Sequence, residues 1–195
     1  MTDKKNKILE FVKLHHANQF RKYTGEPYYT HLVNVANIVH EEAPIFLGVE
    51  IALLHDLFSS TSCTTKDLKI FLKSIGYTQG QIEIISSSVI ELTDEFTVEN
   101  SSLFNRKQRK LLELVRLSKI SKLAQTVKYA DLIDNAKSIV EHDMNFAKVY
   151  LNEKKQILKY MRDGDFELYL LACSTLYSSL IKIKIFEIFK TSKKL

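Results

Sequence analysis

The sequence of 195 residues has little that would interrupt a helix: it contains only five glycines and two prolines. Much of the chain repeats its apolar residues at the spacing of one helix face. The sequence therefore predicts an all-α fold. Cysteine is also scarce, and Cys63 and Cys173 lie far apart without the spacing of a metal site. We interpret them as free thiols in a reducing compartment.

Long apolar runs are missing as well. The longest uncharged apolar stretch, residues 168–181, covers 14 residues, and about 18 are needed to suggest a membrane span. The charged start at residues 1–7 is followed by no apolar run of the kind found in signal peptides. We therefore expect no membrane span and a cytoplasmic location.

A large excess of one charge is absent too. The 28 basic residues outnumber the 23 acidic ones by five, which does not call for a nucleic-acid partner but suits a pocket for a small polyanion. The basic cluster at residues 105–110 has no interleaved aromatic residues. We interpret it as a solvated helix face.

The chain predicts one domain over residues 1–195, with a core at about 5–165 and a helical extension at 166–195. A polar, aperiodic loop is expected at 93–103. Residues 181–186 alternate in the manner of a strand. The helices are expected at about 5–20, 28–42, 45–59, 64–75, 79–92, 105–117, 122–140, 145–161 and from 166 onward.

The most informative stretch is Ile51–Asp56, where four apolar residues run into an adjacent histidine and aspartate. An ionised aspartate in apolar surroundings needs a positive partner. His55 supplies a nitrogen ligand beside Asp56, so a bound metal ion would satisfy the pair. A buried hydrogen-bonded His–Asp pair without a metal is the alternative.

Three other features belong with this pair: His31 near a helix start, Asp131 in an apolar helix and the basic Arg21-Lys22. Each has a simpler explanation: His31 can cap its helix, Asp131 can pair with Lys128, and Arg21-Lys22 can be solvated. Together they provide two imidazoles, two carboxylates and a basic rim. This ligand set suits Mn, Fe or Zn with positions left open for water and substrate oxygen.

The order of these motifs resembles the HD-domain phosphohydrolases, and most closely the RelA/SpoT-type hydrolase domains and the stand-alone small alarmone hydrolases. Those proteins remove the 3′-pyrophosphate from guanosine tetra- and pentaphosphate with a Mn ion. The likeness extends over about residues 5–170. It is carried by residues 19–31, 53–56 and 127–131.

The resemblance implies an HD-type helical bundle in which His31, His55, Asp56 and Asp131 hold a divalent metal, with Mn favoured over Fe or Zn. It implies a small nucleotide or polyphosphate as substrate. The residues that it assigns to substrate binding are Arg21, Lys22, Asn135 and Ser138, the last where the family often has a threonine.

The chain departs from the family at Ser59 and Ser60, which stand where the hydrolases usually carry a Glu-Asp pair. On a continuous helix both serines would lie beside the ion, but a hydroxyl is a poor base near neutral pH. The loss of acid–base help typically costs ~10²–10⁴ in rate. Candidates for a substituted base are Asp134, one turn after Asp131, and Glu26, Asp94 and Glu95.

Two function classes remain open at this point. One is a metal-dependent hydrolase that removes pyrophosphate from an alarmone or a related nucleotide. The other is a catalytically impaired regulatory protein that binds metal and nucleotide. A third idea, association of residues 181–195 with a membrane surface, rests on their mixed basic and apolar composition.

Overall fold

The computed structural model of the chain describes residues 3–192. These residues form helices joined by short loops, with no strand among them; the one β-bridge in this range joins Phe20 to Pro27. The predicted all-α fold is confirmed. The helices are α1 (Asp3–His15), α2 (Tyr29–Glu42), α3 (Gly48–Leu54), α4 (Leu57–Ser60), α5 (Thr65–Ser74), α6 (Gln79–Leu92), α7 (Arg106–Leu117), α8 (Lys122–His142), α9 (Met144–Tyr160) and α10 (Phe166–Ser192).

Local sequence signals explain where several helices begin. Thr64 caps α5 in a reciprocal capping box with Asp67, and Thr78 caps α6 in the same way with Gln81. In each box the two side chains satisfy backbone N–H groups that lack a partner inside the helix. The helix at residues 79–92 therefore has the predicted bounds.

The central helix expected at 45–59 is wrong as a continuous element. It is divided into α3 and α4 at His55 and Asp56, and Asp56 has φ −100° and ψ 7°. The Nδ1 atom of His55 lies 2.8 Å from the backbone oxygen of Ala52. In an unbroken helix that oxygen would accept from the amide of Asp56, so the imidazole competes with the helical hydrogen bond.

The first helix ends at His15 rather than near Phe20. The chain then turns back on itself, because the Arg21 amide donates to the Glu26 oxygen and the Tyr28 amide donates to the Gln19 oxygen. This turn carries Arg21 and Lys22 to the start of α2. The basic pair is thereby placed beside the helix that contributes His31.

The strand-like conformation suggested for residues 181–186 is also wrong, because these residues continue α10. Ile183 is buried, whereas Ile181 and Ile185 are exposed. The helix packs by residues at helical spacing, Leu168, Ala172, Leu176 and Ile183, so the local alternation does not govern the structure. Residues 193–195 of the predicted basic tail lie outside the described residues.

Helix α8 lies at the centre of the fold and contacts α2, α3, α6, α9 and α10. Gly164 allows the segment before α10 to approach α8 closely, since a Cβ atom there would lie 2.7 Å from the Tyr129 ring. Because α10 packs along both α8 and α9, we propose that the extension belongs to the same domain as the core. Helix α8 also brings Asp131 against α2 and the α3–α4 break.

Candidate metal centre

Three helical segments bring two imidazoles and two carboxylates together. The nearest ligand atoms of His31, His55 and Asp56 all lie within 4.8 Å of one another. Asp131 Oδ1 lies 3.3 Å from His31 Nε2 and 3.8 Å from His55 Nε2. The side chains predicted from the sequence as metal ligands therefore share one site.

His55 presents a nitrogen that forms no hydrogen bond within the described part of the chain. Its Nδ1–H donates to the Ala52 carbonyl, which leaves the lone pair on Nε2. This Nε2 atom is buried and has no hydrogen-bond partner among the described residues, and it lies 3.3 Å from Asp56 Oδ2. A buried nitrogen of this kind fits the position of a metal ligand.

His31 is held from behind by Asp134. The Nδ1 atom of His31 lies 2.7 Å from Asp134 Oδ2, while its Nε2 atom faces Asp131 and Asp56. A carboxylate on the far nitrogen of a ligand histidine fixes the tautomer and the ring orientation. Asp134, predicted as a substituted base, thus occupies a position suited to orienting His31.

The carboxylates of the cluster are held by polar neighbours. The Tyr28 hydroxyl donates to Asp56 Oδ2 at 2.5 Å. The Lys128 ammonium lies 2.8 Å from Asp131 Oδ2, and the Asn135 amide donates to Asp131 Oδ1. Asp131 therefore does form the ion pair with Lys128 that was the simpler explanation for it. This ion pair uses Oδ2 of Asp131, and Oδ1 is directed at the imidazoles.

The cluster keeps both aspartates ionised. Burial opposes the charged form of Asp56, but the His55 imidazole, when it holds a proton in place of a metal ion, outweighs burial and lowers the pKa of the carboxyl. Burial is likewise outweighed at Asp131, where Lys128 holds the pKa well below its usual range. For His31, hydrogen bonds to Asp131 and Asp134 overcome the effect of burial and raise the pKa to about 9.

These residues fit a divalent metal ion. Ligand atoms about 2.1 Å from a common ion lie about 3.0–3.4 Å apart at octahedral or tetrahedral angles. The closest nitrogen–oxygen pairs here, His31–Asp131 and His55–Asp56, are each separated by 3.3 Å. Mixed nitrogen and carboxylate ligands suit Mn, Fe or Zn.

A cleft of about 180 Å³ opens beside the cluster. It is reached by all four residues that the sequence assigned to substrate binding. Arg21 also forms an ion pair with Asp134 at 2.9 Å. Its guanidinium therefore connects the cleft to the carboxylate that holds the His31 ring. The lining residues are Arg21, Lys22, Tyr23, Tyr28, His31, Asn135, Ser138, Ile139 and Tyr150.

The two serines occupy different positions. The Ser59 hydroxyl lies 3.3 Å from Asp56 Oδ1 and is exposed. Ser60 is half-buried, and its backbone oxygen accepts a hydrogen bond from the side chain of Gln19. Because the helix breaks at Asp56, only Ser59 is seen in contact with a cluster carboxylate.

The other base candidates do not line the cleft beside the cluster. The Glu26 side chain is exposed and accepts from the Thr24 hydroxyl. The Glu95 side chain is exposed, and its amide donates to Glu113. Asp94 is also exposed, but it is close enough to contribute to raising the pKa of Lys128.

Sequence reasoning did not single out His16 as a residue beside the site. His16 is buried, stacks on Tyr28 with 5.2 Å between ring centroids, and bonds to Gln19 through Nδ1. Its Nε2 atom has no hydrogen-bond partner among residues 3–192. The pair of adjacent histidines, His15 and His16, was the only signal in the sequence.

Comparison with known proteins agrees with this arrangement. No family model matches the chain. It is 31% identical over 135 residues to the guanosine-3′,5′-bis(diphosphate) 3′-pyrophosphohydrolase MESH1 of Drosophila melanogaster. The alignment covers 67% of this chain and 66% of the relative, so it spans just under two thirds of that protein's length.

The fold is shared with a solved structure described as a metazoan orthologue of SpoT that hydrolyses ppGpp and plays a role in starvation responses. The TM-score is 0.71 over 94% of each chain, with 23% sequence identity. That identity is too low to carry more than the fold. The sequence similarity to MESH1 and the shared fold agree with the resemblance of the site motifs to the HD-domain alarmone hydrolases.

Proposed function

We propose that the protein is a metal-dependent phosphohydrolase that removes the 3′-pyrophosphate from guanosine tetra- or pentaphosphate or a related nucleotide. The observation that carries this proposal is the buried cluster of His31, His55, Asp56 and Asp131, with the unpartnered His55 Nε2 atom directed into it. The activity named for the similar MESH1 supports the choice of substrate class.

The metal held by these four residues would be Mn, or else Fe or Zn, since all three accept mixed nitrogen and oxygen ligands. A bound divalent ion polarises a phosphoryl oxygen and lowers the pKa of water toward ~7. The Asp134 carboxylate keeps the His31 ring in the orientation that presents Nε2 to the cluster. The Tyr28 hydroxyl holds Asp56 in the same way.

The cleft residues would bind the nucleotide. Lys22 and Arg21 provide positive charge at its mouth, which suits the polyphosphate groups of an alarmone. Asn135 would contact the base or ribose, and Ser138 would lie near the substrate. A location in the cytoplasm is supported by the free thiols of Cys63 and Cys173.

The experiment combines metal analysis with pyrophosphate release from a panel that contains guanosine 3′,5′-bis(diphosphate) and nucleotides without a 3′-pyrophosphate. We expect Mn-dependent release from the former and its loss in His55→Ala together with the bound ion. His40→Ala, an exposed histidine of α2, is the matched control. A natural protein that binds no divalent ion, with release unchanged in His55→Ala, would contradict the proposal.

A second candidate function is favoured by Ser59 and Ser60. Neither side chain titrates near neutral pH, so the protein would bind metal and nucleotide without turnover and act as a regulator. Calorimetry would then show nucleotide binding while the same preparation releases no pyrophosphate. Robust turnover by the natural protein would exclude this function.

A further inference from the structure

Helix α10 has a second apolar face that no part of the described chain covers. It lies opposite the packed residues and is interrupted near its middle only by Ser174 and Ser178. Phe166 is 65% exposed and Ile181 is 59% exposed, whereas the side chains of α10 that pack in the core are buried. The exposed apolar residues of this face are Phe166, Leu170, Leu171, Tyr177, Ile181, Ile185 and Phe189.

The spacing of these residues makes a continuous stripe. Positions 166, 170, 177, 181 and 185 follow one another at intervals of four or seven, which keeps them on one side of a helix. A helix that is apolar on both sides is usually buried on both sides. The exposed stripe of α10 is therefore a surface that a partner is expected to cover.

The area of the stripe suits a dimer. An aromatic side chain can bury roughly 150–250 Å², so seven large apolar side chains at about half exposure offer roughly 500–900 Å² per copy. Two copies would then bury about 1,000–1,800 Å² in total, which reaches the ~1,000 Å² expected of a specific interface. The small residues Ser174 and Ser178 would let two helices approach closely at the centre.

Charges on α10 favour one orientation. Glu167 lies at its start, and Lys182 and Lys184 lie toward its end. All three are exposed, and none forms an ion pair with another residue of the described chain. In an antiparallel pair centred near residue 175, Glu167 of one copy comes level with the two lysines of the other, whereas a parallel pair places like charges side by side.

We propose that this apolar face binds a second copy of the chain, through an antiparallel pairing of α10 with α10 about a two-fold axis. Such an interface is self-complementary, because the same stripe serves both copies. Helix α10 is also long and apolar enough to cross a membrane by length and composition. Its buried face against α8 and α9 and its acidic start argue instead for a protein partner.

The first test measures the molar mass of the full chain by light scattering and sedimentation equilibrium over a range of concentrations. We expect a dimer that becomes a monomer in Ile181→Asp, with an unchanged circular dichroism spectrum because Ile181 is exposed. Ile70→Asp is the matched control, since Ile70 lies on α5 and is 58% exposed. A monomer at all concentrations, or a dimer indifferent to Ile181→Asp, overturns the proposal.

The second test exchanges the charges. Glu167→Lys and Lys182→Glu should each weaken the dimer at least several-fold, and the double variant should recover affinity. A single charge reversal that strengthens association would overturn the antiparallel orientation. Flotation with phosphatidylglycerol vesicles tests the membrane directly: a monomeric protein that floats, and no longer floats as Ile181→Asp, assigns the stripe to lipid and overturns the proposal.

Discussion

The Nδ1 atom of His31 lies 2.7 Å from Asp134 Oδ2, on the side of the ring that faces away from Asp131 and Asp56. Asp134 is itself fixed, by the Arg21 guanidinium at 2.9 Å and the Asn34 amide at 3.0 Å. These contacts form a chain of support from the cleft beside the cluster to one of the clustered imidazoles.

Asp134→Asn should therefore weaken metal binding by roughly 10–100-fold, the usual effect of removing a carboxylate behind a ligand histidine. Calorimetric titration of the ion-free protein with Mn²⁺ measures this change. Asp163→Asn is the control, because Asp163 is exposed and lies outside the cluster. Equal affinity in Asp134→Asn and the natural protein would show that His31 needs no carboxylate behind it.

Tyr28→Phe should reduce stability in the absence of metal. The change removes the hydroxyl that donates to Asp56 at 2.5 Å, and a hydrogen bond to a charged group contributes about 1.5–3 kcal/mol. Tyr29→Phe provides the control, since the Tyr29 hydroxyl makes no hydrogen bond within residues 3–192 and its ring lies against Lys13. Urea unfolding in EDTA compares the variants, and equal midpoints would argue against this contribution.

Ser59→Glu combined with Ser60→Asp should raise pyrophosphate release by ~10²–10⁴, the usual effect of acid–base assistance. Metal content should stay the same, because neither serine belongs to the ligand cluster. Ser59→Gln with Ser60→Asn supplies side chains of the same size that do not titrate, and it should not raise the rate. A double acidic variant no faster than the natural protein would show that this position cannot restore the missing base.

Lys154→Met should stabilise the protein near neutral pH. Burial, and then the nearby Lys128, lowers the pKa of Lys154 to about 8 from its ordinary value of 10.5. Between these two values the unfolded chain binds a proton at this site that the folded chain lacks, so the stability of the natural protein rises with pH across that window. Below pH 8 Lys154 is charged in the folded protein as well, and the cost of burying that charge lowers the free energy of unfolding in full.

The advantage of Lys154→Met should accordingly shrink as the pH rises from 8 toward 10.5. Urea unfolding of both proteins at pH 7, 9 and 10 measures the difference. Lys159→Met, at an exposed position of the same helix, corrects for general effects of removing a lysine. A difference that is independent of pH would show that Lys154 titrates normally in the folded protein.

The grouping of two imidazoles and two carboxylates was predictable because residue chemistry and order along the chain limit the candidates strongly. His55 and Asp56 follow an apolar run that must be buried, and the capping boxes at Thr64 and Thr78 follow from local hydrogen bonding alone. These features depend on residues that are close in sequence. His31 and Asp131 lie far from this pair in sequence, and they were selected by their residue chemistry together with the resemblance to a family.

Other features depend on side-chain orientations and on packing that the sequence pattern does not reveal, and they could not be predicted. The role of Asp134 depends on which way the His31 ring is turned, and those residues are separated by 103 positions. The helix break at Asp56 follows from one side-chain contact, between His55 and the Ala52 carbonyl. The tail at 181–186 alternates locally, yet the packing of α10 along α8 determines its conformation.

The single turn of α4 lies at the edge of the metal cluster and carries Ser59 on the surface. Replacement of an exposed residue outside the core usually changes the free energy of unfolding by less than about 0.5 kcal/mol. Ser59, at which the chain departs from the hydrolases that it resembles, is therefore only weakly constrained by folding. Under the proposed function, substitutions at this position are expected to alter turnover while the helical scaffold stays unchanged.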